Sequence, residues 1–262
     1  MKALAARRRH PLAGVVLLLM GLLVTGGAYA VAAPQEADAS TTASGSVENG
    51  EKLFLANCST CHGQGGQGAE AGPSLVGVGA AAVDFQVGTG RMPMEATAPQ
   101  APQKDVKFSE QEVADLSAYV ATLGPGPAIP AEEYLELVDE DERLAEGNEL
   151  FRTNCAMCHN VVGAGGALTR GKYAPALDGV TEKHIYEAMV TGPQSMPVFN
   201  DANISPEEKQ SIISYLKYVE EQPSPGGLSL GSLGPVSEGL FAWLGLLIIV
   251  IGCTVWLGAK SS

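Results

Sequence analysis

Two copies of one five-residue pattern govern what this chain can become. Cys58-Ser59-Thr60-Cys61-His62 and Cys155-Ala156-Met157-Cys158-His159 each place two thiols three positions apart, with an imidazole directly after the second. This spacing lets two sulfurs add to the two vinyl groups of one porphyrin while the adjacent His faces the iron. It is the attachment signature of a c-type haem. A structural zinc site is the rival for the same thiols, because Cys-x-x-Cys knuckles also bind that ion in pairs. Nearly a hundred residues separate the two knuckles, too many for a compact zinc ribbon, and zinc gives no reason for a His after each second Cys. The reading is two covalently bound haems c. Cys58, Cys61, Cys155 and Cys158 bind the cofactor, and His62 and His159 are iron ligands.

The repeat extends beyond the motifs. Gly50-Glu-Lys-Leu-Phe-Leu-Ala-Asn57 before the first matches Gly147-Asn-Glu-Leu-Phe-Arg-Thr-Asn154 before the second. Downstream, Gly72-Pro73-Ser74-Leu75 is echoed by Ala174-Pro175-Ala176-Leu177, and Thr89-Gly90-Arg91-Met92-Pro93 by Thr191-Gly192 followed by Met196-Pro197. Each half closes on an amphipathic helix, with Val113, Leu116 and Val120 on one face of the first and Ile212, Ile213 and Leu216 on one face of the second. Ser109 with Glu112, and Ser205 with Glu208, read as capping boxes, and Pro206 occupies the favoured first helical position. Two homologous domains are expected. Each is under eighty residues, too small to bury much apolar surface unaided, so a covalently held haem is expected to act as both staple and core.

Met92 and Met196 each precede a proline at a similar distance after the Pro-Leu segment, which makes them the candidates for the sixth iron ligand. A thioether there raises the potential and closes the iron to oxygen or peroxide. Met94, two residues on, competes with Met92. His184 is assigned to a helix surface, although it is the one spare His beyond the membrane segments.

The ends of the chain are apolar. Arg7, Arg8 and Arg9 precede an uncharged run from Leu12 to Ala33, which reads as a signal peptide cut after Ala28-Tyr29-Ala30 or as an N-terminal transmembrane helix. A second uncharged run, Gly239 to Ala259, has the length of a membrane span and carries Trp243 and Trp256 near its ends. Cys253 within it reads as a small apolar residue. The basic start puts the intervening domains outside the cytoplasm. A net charge of -13 argues against nucleic acid as a partner. The glycine-rich Gly63 to Gly72 is no phosphate cradle, having no preceding strand and no Lys-Ser/Thr after it. The expected divisions are 1–33 (signal peptide or helix), 46–123 (first domain), 124–142 (linker), 143–220 (second domain), 221–238 (linker) and 239–259 (transmembrane helix).

The order helix, Cys-x-x-Cys-His, Pro-Leu, Met-Pro, closing helix resembles the class I cytochrome c family. The resemblance implies an all-α fold of two tandem domains in which first and last helices cross near Gly50 and Phe54 in one domain and near Gly147 and Phe151 in the other, with Tyr119 and Tyr215 at the crossings. It also implies that the segments at Pro73 and Pro175 orient the proximal histidines.

Two such domains in tandem, between an apolar start and a single C-terminal span, resemble the dihaem cytochrome c subunit of the actinobacterial cytochrome bcc complex, a menaquinol-oxidising reductase. That resemblance implies membrane lipid, a cytochrome b subunit, a Rieske iron-sulfur subunit and an aa3-type oxidase as partners. It implies an electron carrier within a quinol:cytochrome c oxidoreductase of the cell membrane, with no catalytic residue of its own. The alternatives are the dihaem subunit of a cbb3-type oxidase, usually held by an N-terminal span, and a dihaem peroxidase, which would need one open iron and an acid-base residue above it.

Overall fold

The computed structural model describes residues 13–32, 45–96, 98–222, 230 and 235–259. The arginine-rich start, Ala33, most of the small polar tether of 39–45, most of the Pro/Gly/Ser-rich join after Gln222 and Lys260 lie outside the described residues. The chain forms two units, Met1–Ser40 and Thr41–Ser262. The first contains helix α1, Ala13–Ala32, 20 residues long and without a charged side chain.

The regular elements of the second unit's described residues are almost all helices, as the resemblance to class I cytochromes c implies. Its first half holds α2 (Val47–Asn57), the single turn α3 (Ser59–His62), α4 (Gly79–Gly88) and α5 (Glu110–Ala121). The second half repeats the order with α6 (Asp141–Asn154), α7 (Ala156–His159), α8 (Glu182–Thr191) and α9 (Pro206–Glu221). Residues between the second motif and α8 add a small antiparallel ladder, β1 (Gly166–Ala167) against β2 (Tyr173–Ala174), where an all-helical reading expected only loop. The C-terminal helix α10 runs over Pro235–Ala259, and its Val236–Ala259 stretch is long and apolar enough to cross a membrane. It starts before Gly239 and takes Glu238 into its first turn, where a carboxylate favours the positive end of the helix.

Both closing helices begin where expected. Ser109 Oγ accepts the Glu112 amide at 3.3 Å while Glu112 returns to accept the Ser109 amide at 2.8 Å. Ser205 and Glu208 do the same at 3.2 and 2.7 Å, with Pro206 first in α9. Each box satisfies two amides that the helix leaves open, a contribution of about 1 kcal/mol.

In each half the first and last helices cross backbone to backbone. A Cβ placed on Gly50 would collide with the Asp115 carbonyl, and one on Gly147 with the Ser211 carbonyl. One turn on, Phe54 and Phe151 are each 1% exposed and meet Tyr119 and Tyr215 at ring-centroid distances of 5.2 and 6.0 Å. Around these pairs lie two separate cores. Val83, Val87, Val113, Leu116 and Val120 complete one, and Ile185, Met189, Ile212, Ile213 and Leu216 the other.

The Pro/Gly segment after α5 is not a free tether. The Ala81 amide donates to Pro127 O at 3.1 Å, which seats its start on the first domain. Gln210 Nε2 donates to the carbonyls of Glu133 and Glu136 at 2.8 and 2.9 Å, and the Val138 amide to Ser214 Oγ at 3.0 Å, seating its end on the second.

Candidate haem centres

The two motifs are built alike. The Cys58 amide closes the last turn of α2 on Phe54 O at 2.8 Å, and the Cys61 and His62 amides then turn back on Cys58 O at 3.1 and 3.0 Å. In the second half Cys155 bonds Phe151 O at 2.8 Å, and Cys158 and His159 bond Cys155 O at 3.0 and 2.9 Å. Each first cysteine is thus a corner between a long helix and a single turn, so two thiols and one imidazole share a tight arc anchored on a buried Phe. None of the four thiols is in a disulfide. Burial, with the charge of the partner cysteine added, pushes the Cys58 and Cys155 thiols each up to about 11, so both stay neutral at pH 7 until a thioether ends their titration.

Each histidine is held by the Pro segment that follows it. His62 Nδ1 lies 2.8 Å from Pro73 O, and His159 Nδ1 lies 3.0 Å from Pro175 O. A carbonyl only accepts, so Nδ1 carries the proton in both rings and Nε2 keeps its lone pair, the tautomer that binds a metal. Burial lowers the His159 pKa, and the bond to Pro175 only partly offsets this, so the ring is neutral at pH 7 and free to ligate. The expected role of the Pro73 and Pro175 segments is therefore visible as a hydrogen bond to a named atom.

The methionines lie on the segments that follow α4 and α8. Met92 packs on the first core, its amide bonded to Gln86 O at 2.8 Å, whereas Met94 is not part of that cluster. Beside it, buried Arg91 lays its guanidinium over the Phe85 ring at 4.7 Å, a cation–π contact that fixes the start of the segment. Met196 packs on the second core, its amide bonded to Pro193 O at 3.0 Å. Cys58 and Met92 pack with the first apolar core, and Cys155 and Met196 with the second.

Neighbouring segments of the two halves are tied by reciprocal amide pairs. Gln100 donates to Tyr173 O at 2.8 Å and accepts the Tyr173 amide at 2.9 Å. Gln194, two residues before Met196, accepts the Ala101 amide at 2.9 Å and donates to Ala101 O at 3.4 Å. Sequence reasoning missed these bonds, since two isolated glutamines carry no local signature of a contact 73 or 93 residues away. It also misplaced His184. The residue is helical as expected but is not a surface group: its side chain is 17% exposed and lies against α4 of the other half, 3.6 Å from Asp84 and edge-on to Phe85.

Known proteins carry the same two units. Residues 47–124 match the cytochrome c family model, and residues 142–216 match that of the cbb3-type cytochrome c oxidase subunit III. Over the whole chain, the "Cytochrome bc1 complex cytochrome c subunit" of Mycobacterium bovis is 44% identical, with 97% of this chain and 93% of the relative aligned. The proteins so named in Corynebacterium efficiens and Corynebacterium diphtheriae are 43% and 41% identical, over 97% and 99% of this chain and 90% and 99% of theirs. The cbb3-type model accounts for one domain, whereas these relatives account for both domains and the apolar ends together. A chain with two cytochrome c folds and identity of this order along nearly its full length belongs to the family of cytochrome bc1 complex cytochrome c subunits, electron carriers that hold haem c covalently.

Proposed function

We propose that this chain is the dihaem relay of a menaquinol-oxidising bcc complex, taking electrons from a Rieske iron-sulfur subunit and delivering them to an aa3-type oxidase without a soluble cytochrome c. The observation that supports this reading is the presence of two Cys-x-x-Cys-His turns in one chain, on domains tied by the Gln100–Tyr173 and Gln194–Ala101 amide pairs. A relay needs two redox centres held at a constant separation, and the reciprocal bonds of two glutamine side chains to backbone across the domains serve that need.

In this reading Cys58 and Cys61 bind the first haem, with His62 and Met92 as its iron ligands. Cys155 and Cys158 bind the second, with His159 and Met196. Haem c supplies a one-electron couple at each site. The protein would do the rest: the Pro73 and Pro175 carbonyls would hold the imidazoles, Met92 and Met196 would supply a thioether to each iron, and the Phe54 and Phe151 cores would keep water away. Closed iron on both sides suits electron transfer and disfavours a peroxidase, whose reaction needs an open position and an acid-base group above it. Domains spanning 46–123 and 143–220 stand outside the cytoplasm, and α10 anchors them beside cytochrome b.

The cbb3-type alternative is favoured by the match of residues 142–216 and disfavoured by the full-length relatives and the C-terminal span. The tagged chain, drawn from its native membranes in mild detergent, distinguishes the two by its reduced-minus-oxidised spectrum. Haem c, b and a bands together are expected. Haem c with b but no a overturns the hand-off to an aa3 oxidase, and haem c alone overturns membership of a bcc assembly.

A further inference from the structure

The haem centres leave one buried polar cluster unexplained. Helix α8 carries His184 and Glu187 one turn apart, so both point the same way, and the surface they meet is α4 of the first domain at Asp84. One donor atom from each of Asp84, His184 and Glu187 lies within 4.8 Å of the others. Glu187 is completely buried, and neither of its carboxylate oxygens has a hydrogen-bond partner. An orphaned buried carboxylate is costly, and its presence calls for an ion or a proton.

We propose that Asp84, His184 and Glu187 form a binding site for a divalent transition-metal ion, best matched by zinc, that clasps the two cytochrome domains together. The donor set decides the metal class. An imidazole nitrogen with two carboxylates suits zinc, whereas magnesium and calcium prefer all-oxygen shells. Zinc bonds of about 2.0–2.2 Å place neighbouring donors roughly 3.4 Å apart. Asp84 and His184 already stand at 3.6 Å, so a small side-chain rotation of Glu187 completes the set. A dication uses both carboxylates and the imidazole at once. A lone proton on Glu187, donated to Asp84, satisfies one oxygen and still leaves the other without a partner.

The surroundings agree. Phe85 meets the imidazole edge-on at 6.1 Å and orients it, and Gly88 leaves it room: a Cβ there would stand 3.2 Å from Nε2. Lys183 Nζ sits 2.8 Å from Asp84 Oδ1 and neutralises one carboxylate, but its side chain is 39% exposed and free to swing outward when a dication enters. Entry is through an open cleft of about 770 Å³, whose wall carries Glu110, Glu132, Glu136 and Glu182 beside Asp84 and His184. So acidic a vestibule raises the local concentration of cations. In the absence of metal, burial and the neighbouring Asp84 charge push the Glu187 carboxyl up to about 9, against the pull of Lys183.

The test uses the full-length haem-loaded chain in detergent, stripped with a chelator, reloaded with zinc alone and desalted. The expected result is one zinc per chain by mass spectrometry of the metals, falling about tenfold or more in Glu187→Gln and in His184→Ala with the visible haem spectrum unchanged. The wild-type chain alone gives a second readout, since X-ray absorption at the zinc edge is expected to show nitrogen and oxygen donors without sulfur. No retained zinc, equal retention in both variants, or a sulfur shell from thiols that escaped haem attachment would each overturn the site and leave Glu187 as a protonated buried acid.

Discussion

Gly147→Ala is expected to destabilise the second domain by about 2–3 kcal/mol, although the same change in an isolated helix would stabilise it by up to about 1 kcal/mol. The two effects have opposite signs, which makes the sign informative. Position 147 lies inside α6, where Ala is the better helix former and reduces the entropy of the unfolded chain. Its Cβ, however, would stand in the Ser211 carbonyl and 3.0 Å from Tyr215 Cβ, atoms fixed by the backbone of α9 that have little room to yield. The helices must separate, and separation loosens the Phe151–Tyr215 contact and the Ile212 and Ile213 packing behind it. A domain of this size has only a few kcal/mol in hand, so the loss is a large share of its stability. Chemical unfolding of the haem-loaded chain, followed by far-UV circular dichroism, checks it. A midpoint at or above that of the wild type would mean that the crossing is looser than described.

Replacing Met196 with His is expected to lower the midpoint potential of one haem by on the order of 0.1–0.3 V, a fraction of the roughly 0.8 V that axial ligands command. The thioether favours ferrous iron, while a second imidazole donates more strongly and favours the ferric state. The other haem is expected to shift little, because Met92 rests on a different core. In the first domain the competing candidates separate by packing. Met92 packs against the first core, while Met94 belongs to no such cluster. Met92→His therefore lowers the other potential, and Met94→His leaves both where they are. Redox titration of the visible bands reads all three variants, and the weak sulfur-to-iron band is lost with Met92 and Met196 only. A drop caused by Met94→His would move the ligand two residues along the chain.

What the sequence made legible was whatever has a local pattern. The Cys-x-x-Cys-His motifs, the Ser-x-x-Glu boxes at 109 and 205 and the stripe of Val113, Leu116 and Val120 are all readable within a turn or two of helix, and the structure contains each. The helix crossings at Gly50 and Gly147 were implied by the resemblance to class I cytochromes c, not by any local pattern. Helix α4 was harder, because Gly79 to Gly88 is apolar on nearly every side and has no helical period to detect. The ladder of Gly166–Ala167 with Tyr173–Ala174 is two residues per strand, too short for any alternation to register. The contact between domains was illegible for a different reason. Asp84, Lys183, His184 and Glu187 read as ordinary polar positions until the fold sets α8 on α4, and the same holds for Gln100 and Gln194.

The relay itself is tested most directly by quinol-driven oxygen uptake in the captured complex, with no soluble cytochrome c added. Wild-type chain is compared with Cys58→Ser/Cys61→Ser and with Cys155→Ser/Cys158→Ser, each checked first for assembly with the cytochrome b subunit. Electrons that pass through both domains in series predict uptake at background in either variant. Uptake at the wild-type rate in an assembled variant that lacks one haem would contradict the relay, because that haem would then lie off the path from quinol to oxygen.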